Sequence, residues 1–511
     1  MFNVAEGQKV VAANEMARIE GLAYAKGAIE RDFMENAGRG IAAHVEEYIK
    51  QHKVDKHVVL LVGKGNNGGD AYTAGKRLIE RGYTVVALHL FSLDSCGPLC
   101  QEQHRAFKQM GGAVEFLHQE KKLSFPSTGI ILDGLVGTGF KGKAEGILSF
   151  AIEAANASKL PIIAIDIPSG VNGNTGEVGT IAIKADLTIY LGLPKIGFFI
   201  GQGWNHIGKL VGADFGLSEE FIAQAKAQAY LLNEEILPAL LPPIEKNRHK
   251  YQAGYVLAIA GSKEMSGAAL LSTSSVLRAG AGIVRLFYPF GMEVELAKAP
   301  YELIKEGWDF KHFERIEEES KRAKAALIGP GLGRSKIVKN MLKQLLKKTS
   351  LPCVIDADAL YFLAENPSWV FPEQALLTPH HKEMERLLGD EHQPKNDLEL
   401  HSLCQQFVEK KKTTLILKGG PTCIFDHRGP PLFVLRGDPG MATAGTGDVL
   451  TGILAALLAQ KLPLREAAIL GVYLHGRAGE IAASKKTSYS LIASDLIENL
   501  SEAFSSLLIH L

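Results

Sequence analysis

Residues 57–70, HVVLLVGKGNNGGD, read as a strand that turns on glycines into a helix. The run from Val58 to Val62 is apolar without alternation, so both faces of the strand are covered, as in parallel sheets held between helices. Gly63, Gly65, Gly68 and Gly69 let the backbone approach a phosphate closely. The start of the following helix offers free N–H groups and the positive end of its dipole. The spacing satisfies the generic G-x-G-x-x-G pattern, but a tight turn without a ligand would use the same glycines.

Outward from this stretch the same unit recurs. TVVALHL (84–90), GIILDGL (129–135), PIIAIDI (161–167) and DLTIYLG (186–192) are further branched apolar runs, with helical patterns at 69–82 and 146–156 between them. Before the first strand, residues 12–50 read as two helices. The pattern breaks at 217–250, a polar stretch with three prolines that reads without a strand. The domain boundary is placed there, near residue 225, giving domains 1–225 and 226–511. The alternation restarts with GYVLAIAGS (254–262), AALIGPGLG (325–333), PCVIDADAL (352–360) and TTLILKGG (413–420), and a helical segment follows from Thr446. The expected fold class is α/β with two domains, each a parallel sheet between helical layers.

Open parallel sheets bind ligands beyond the carboxyl ends of their strands. Asp133 and the glycines after it, Asp166 with Ser169, and Lys195 all sit at such ends. A lone strand-end Asp is often a helix cap, whereas several on one edge suggest a site. Lys195 reads either as part of it or as a solvated surface lysine. A dinucleotide oxidoreductase would carry an acid at the end of the second strand; here that strand ends His89-Leu90-Phe91, which argues against that class.

NNGGDA, LDGLVGTG and IDIPSGVN together resemble the YjeF N-terminal family, the NAD(P)HX epimerases, over roughly residues 10–215. The resemblance implies a Rossmann-like three-layer αβα domain. It implies contacts to the damaged dinucleotide from Asn66, Asn67, Gly68, Gly69 and Asp70, and from Gly137, Thr138, Gly139, Phe140, Lys141, Gly142 and Lys143. It further implies a K⁺ ion held by Asn67, Asp133 and Ser169, an oxygen donor set that suits a hard cation. Asp166 would contact substrate and act as acid or base.

In the second half, Gly440-Met441-Ala442-Thr443-Ala444-Gly445-Thr446-Gly447-Asp448 leads into the helix VLTGILAALLA. Amides of Gly445, Thr446 and Gly447 at a helix start make a hole for phosphate oxygens. A carboxylate in the first turn can take the proton of a hydroxyl that attacks a phosphoryl group, although an Asp there also simply complements the helix dipole. The motif is a variant of the ribokinase-type G-A-G-D loop. Together with HKYQAGYVLAIAGS, GPGLG, LTPHHKEMERLLG and ILKGGPT it resembles the NAD(P)HX dehydratases over roughly residues 230–508. That likeness implies a ribokinase-like αβα domain with substrate contacts at Ala253, Gly333, His380 and Asp448, Asp448 being catalytic. It places an adenine nucleotide, ADP or ATP with Mg²⁺, at Lys418, Gly419, Gly420, Pro421, Thr422 and Gly447. The chain departs from that family at His381-Lys382, where Pro-Gly is usual, at Ala444, where Gly is usual, and at Asp438, where Asn is usual.

Taken together, the resemblances imply an enzyme that epimerises R and S NADHX or NADPHX and dehydrates the S form at the expense of ADP or ATP. A vitamin or sugar kinase with a non-catalytic interaction domain at its N-terminus is the rival reading. Lys plus Arg and Asp plus Glu balance at 56 each, which gives no sign of a nucleic-acid partner. No run approaches the roughly 20 apolar residues of a membrane span. No secretory signal is visible, and the five cysteines show no metal-site spacing. A cytoplasmic homo-oligomer acting on small molecules is expected.

Overall fold

The computed structural model describes residues 6–117, 123–389 and 392–508. The strands of the first half are β1 (Glu6–Val10), β2 (His57–Val62), β3 (Thr84–His89), β4 (Ala113–Phe116), β5 (Ile130–Gly134), β6 (Ile162–Ile165), β7 (Leu187–Leu191) and β8 (Lys209–Ala213). Those of the second half are β9 (Ala229–Leu232), β10 (Tyr255–Ile259), β11 (Ile283–Pro289), β12 (Ile304–Trp308), β13 (Ala325–Ile328), β14 (Cys353–Ile355), β15 (Ala375–Leu377), β16 (Thr414–Leu417), β17 (Thr422–Asp426) and β18 (Gly429–Val434). The chain divides into two compact units, one of residues 8–229 with 396–398, the other of 230–395 with the chain from 399 onward and the described residues Glu6 and Gly7. The stretch 217–250, read as strandless, contains β9: Tyr230 and Leu231 pair with Leu432 and Phe433 although their polar neighbours hide the run.

In the first unit seven strands form one parallel sheet in the order β4-β3-β2-β5-β6-β7-β8. Period-two alternation sends Val58, Leu60 and Val62 to one face and Val59 and Leu61 to the other. The first face packs on helices Glu30–His52 and Asn66–Glu80 through Ile41, Val45, Ala71 and Tyr72, the second on helix Ile147–Ala157 through Ala151 and Ile152. The helices that follow β2 and β5 therefore lie on opposite faces. Their loops part between these neighbouring strands, which opens a crevice at the carboxyl ends.

The second unit repeats this logic. In its parallel part the order is β12-β11-β10-β13-β14-β15-β16, and β17 and β18 extend it as an antiparallel pair. Val256, Ala258, Leu327 and Val354 share a core with helices Ser266–Arg278, Thr446–Ala459, Leu464–Lys486 and Ala493–Leu508. The alternate residues Leu257, Ile259 and Ile328 are as deeply buried, so the other face is covered too.

Helix Thr446–Ala459 lies close against helix Ser266–Arg278 because Gly452 has no side chain: a Cβ there would sit 2.0 Å from the Ser272 carbonyl oxygen and 2.1 Å from Ser275 Oγ. Gly452→Ala is expected to cost about 1–3 kcal/mol through overpacking. A thermal melt should show the second unit unfolding earlier while the activity of the first is retained.

Candidate active sites

Helix Asn66–Glu80 begins at Gly65 with no side chain capping its first turn, so its leading amides are open. Asn66 is exposed and donates from Nδ2 to Glu30 Oε1 at 2.9 Å. Asn67 is buried, and its Nδ2 has no hydrogen-bond partner. The end of β5 brings Asp133 beside it. Asp133 is fully buried and accepts from the Ser169 hydroxyl at 2.6 Å, the Ser169 amide at 2.8 Å and the Leu135 amide at 3.2 Å. Burial pushes its pKa up to about 6, against those bonds. Ser169 Oγ also lies 3.2 Å from the Val136 carbonyl oxygen. A carboxylate, a hydroxyl and a carbonyl thus converge, and the unsatisfied Asn67 amide lies next to the same loop, since a Gly137 Cβ would stand 3.4 Å from Asn67 Cγ. This donor set fits a K⁺ ion.

Asp166, after β6, holds a left-handed backbone with φ +62°, a conformation sparsely used outside glycine. Its Oδ1 accepts from Lys195 Nζ and, at 3.2 Å, from the Leu191 amide. Lys195 is only 1 % exposed, which excludes the solvated surface lysine. The loop 137–143 is largely exposed, and Lys141 and Lys143 leave their ammonium groups in solvent, where an anionic ligand can meet them. At the end of β3, where an oxidoreductase would place its ribose acid, His89 is instead buried and bonded through Nδ1 to Tyr72 OH at 2.7 Å.

In the second unit, helix Thr446–Ala459 starts at Gly445 (φ +92°), again with no side-chain cap. His475 is half-buried, its pKa is pushed down to about 4 by desolvation, and it meets the Thr446 carbonyl at 2.9 Å through Nε2, fixing the helix start from behind. Asp448 forms no hydrogen bond or ion pair among the described residues. Burial, with Asp356 and Asp358 nearby, pushes its pKa up to about 7, against the attraction of Lys418. Asp356, at the end of β14, accepts from Lys418 Nζ at 2.8 Å on one oxygen and from Thr451 Oγ1 at 2.7 Å on the other. Burial works against the charge of Lys418, yet Asp356 and Glu383 hold its pKa above the ordinary value. Gly447 lies against the same pair, since a Cβ there would be 3.5 Å from Lys418 Nζ.

The comparisons with known proteins fit this geometry. The family model described as YjeF-related protein N-terminus matches residues 30–197, and that described as NAD(P)H-hydrate dehydratase matches 256–502. A bifunctional NAD(P)H-hydrate repair enzyme of Moorella thermoacetica is 33% identical, covering 96% of each chain. One of Vibrio cholerae is 35% identical over 92% of each. The chain belongs to the bifunctional NAD(P)H-hydrate repair enzyme family. Among solved structures, an ADP/ATP-dependent NAD(P)H-hydrate dehydratase of Bacillus subtilis is similar, at 26% identity and a TM-score of 0.46, covering 54% of this chain and 97% of that one.

Asp438, Ala444 and His381 are points where this repair-family chain departs from the usual motifs. Asp438 Oδ1 accepts from the Gly440 amide at 2.7 Å, and Oδ2 accepts from Ser488 Oγ at 3.0 Å, so the carboxylate serves as a turn cap. Ala444 is exposed just before the helix start. His381 packs on the glycine loop, with Cε1 3.0 Å from where a Gly419 Cβ would stand. His380 is the N-cap of helix His381–Leu388 in a reciprocal pair with Glu383, and its side chain remains half exposed. Gly333 (φ +75°) donates to Asp358 Oδ2 at 2.8 Å.

The structure brings Gly333, His380, Gly447 and Asp448 to the carboxyl edge of the sheet, with Lys418 and Gly419–Thr422 beside them. It does not bring Ala253 there: Ala253 precedes β10, at the opposite edge, and neighbouring Gly254 packs on Ala459, the last residue of the helix whose first turn holds Asp448. Sequence reading missed Asp356, Asp358 and Glu383. PCVIDADAL carries the same strand-end signal as Asp133, and Glu383 lies three residues after His380 in capping-box spacing. Val136, missed as well, contributes only its backbone.

Replacing Lys195 with Met removes one half of a buried ion pair and leaves Asp166 uncompensated. Denaturant unfolding of the first unit should show a loss of about 3–5 kcal/mol.

Proposed function

We propose that the first unit interconverts the R and S hydrates of NADH and NADPH, and that the second returns the S hydrate to NAD(P)H while consuming ADP or ATP. The observation that carries this reading is the coincidence at residues 445–448 of uncapped helix amides with an unpaired, half-buried carboxyl. Hydroxide leaves a ring carbon poorly. A phosphorylated hydroxyl leaves readily, because the lone pair of the adjacent ring nitrogen can expel it. Asp448 takes the proton of the hydroxyl as it attacks the nucleotide's terminal phosphorus. The amides of Gly445, Thr446 and Gly447 hold the transferring group's oxygens. Lys418, kept in place by Asp356, adds positive charge beside them. Mg²⁺ entering with the nucleotide would neutralise its phosphate charge.

In the first unit Asp166 is the acid–base group at the stereocentre, and Asn66–Asp70 with Gly137–Lys143 bind the dinucleotide. Asn67, Asp133, Ser169 and the Val136 carbonyl are the residues that would hold K⁺, whose charge orders the two loops. The fusion has a chemical reason: dehydration accepts one configuration, and epimerisation supplies it from the other. The cytoplasm, where these cofactors turn over, suits a chain whose five cysteines are all free and buried.

The reading is tested by mixing the purified chain with R and S hydrates and each nucleotide in turn, and following the return of dihydronicotinamide absorbance. Asp448→Asn should lower nucleotide-driven dehydration about 10²–10⁴-fold and leave epimerisation intact. Asp166→Ala should do the opposite, retaining dehydration of the S form; reversed outcomes refute the assignment of units.

The pH dependence follows from burial. A base must be ionised, and Asp448 gains its charge only as pH rises through about 7. Dehydration kcat/KM should therefore climb through that value in the wild type.

A further inference from the structure

Asp70 closes the NNGGD motif, yet it does more than line a phosphate loop. It is 7 % exposed, and its carboxyl has no hydrogen bond or ion pair among the described residues. It opens into a cavity of about 80 Å³ lined also by Glu20, Tyr24, Glu30, Asn66 and Leu191, which has room for a few water molecules. Glu20, on helix Ala13–Ala25, lies outside the matched family region 30–197 and is likewise unpaired among the described residues. Leu191 connects this cavity to the other carboxyl of the site, since its amide donates to Asp166 Oδ1. Lys195 occupies the same oxygen, so Asp166 Oδ2 is left as an open acceptor.

Epimerisation at a hydroxyl-bearing carbon next to nitrogen needs two proton transfers on opposite faces of the ring. One carboxyl with an oxygen already engaged by a lysine can serve only one of them. We propose that Asp70 is the second acid–base group of the epimerase, working opposite Asp166, and that Glu20 renews its proton from solvent. The proposal rests on the epimerase reading of the first unit. The Asp70 carboxyl gives its proton to the departing hydroxyl; the C–O bond pair leaves with oxygen as water, and the ring nitrogen's lone pair forms a C=N bond. Water from the cavity adds to the other face, its lone pair making the new C–O bond as nitrogen recovers its own pair. Asp166 Oδ2 takes the proton this water releases. The proton then returns to Asp70 by way of Glu20 and water, and the reverse reaction exchanges the two roles.

The electrostatics agree. Burial, with Asp166, Glu20 and Glu30 around it, raises Asp70 well above the carboxylate range, so it carries the proton the step requires. Glu20 is pushed up to about 7 by burial, with Lys195 opposing and Asp166 and Glu30 reinforcing the rise, which suits exchange with neutral water.

The test uses the full chain and the purified R hydrate in ¹⁸O-labelled water. The wild type should convert R to S and place ¹⁸O on the ring carbon faster than the uncatalysed exchange. Conversion without the label overturns the proposal and leaves the epimerase reading standing, whereas no conversion sinks both. Asp70→Asn should lower the epimerisation kcat at least 100-fold, with unchanged melting and full dehydration of the S form by the same chain; a loss under tenfold overturns the assignment. Glu20→Gln removes a negative charge beside Asp70, so the alkaline limb of the epimerisation profile should move to lower pH, and an unmoved limb overturns the relay.

Discussion

Two adjacent parallel strands whose connecting helices go to opposite faces cannot both close the sheet's carboxyl edge between them. The first unit meets this constraint between β2 and β5, the second between β10 and β13, because the strand order is the same in both. The candidate site side chains Asp133, Asp166, Asp356 and Asp448 lie along those two edges. Side chains that close a strand arrive there together, and the helices that follow start there with amides unspent. The cores on both faces keep the strand ends from shifting, so the polar groups are set by the packing beneath them.

Within each edge the carboxyls divide into two kinds. Asp356 and Asp358 have their oxygens occupied, by Lys418 and Thr451 and by Gly333 and Arg334 respectively. They are the braces of the second site. Asp70 is buried and Asp448 half-buried, both without partners among the described residues, and desolvation raises both. An unpaired carboxyl out of water is costly to keep ionised, and that cost is what makes it ready to give or take a proton near neutrality. Asp166 stands between these kinds, with one oxygen engaged and one open.

The parallel strands were legible wherever branched apolar residues ran unbroken, as at Val58–Val62 and Ile162–Ile165. β12 (IKEGW) lies at the sheet's edge and needs apolar residues on fewer sides, so its sequence carries little of that signal. β9 was hidden by the polar residues around it. Among site residues, those inside glycine motifs could be read because glycine's steric permission is local. Asp356 carries a strand-end signal but matters through Lys418 and Thr451, far away in the chain, and Glu20 matters through a cavity that no spacing rule encodes. Ala253 shows the converse, since proximity to a motif in sequence did not carry it to the same edge.

Ala357 separates the two bracing carboxyls and holds φ +54° and ψ −120°, a backbone shape normally left to glycine. That single reversed residue aims Asp356 at the lysine loop and the long helix, and Asp358 at the Gly333 turn. The two walls of the cleft are consequently hinged on one peptide. A side chain at 357 that could not hold this shape would therefore displace both braces at once.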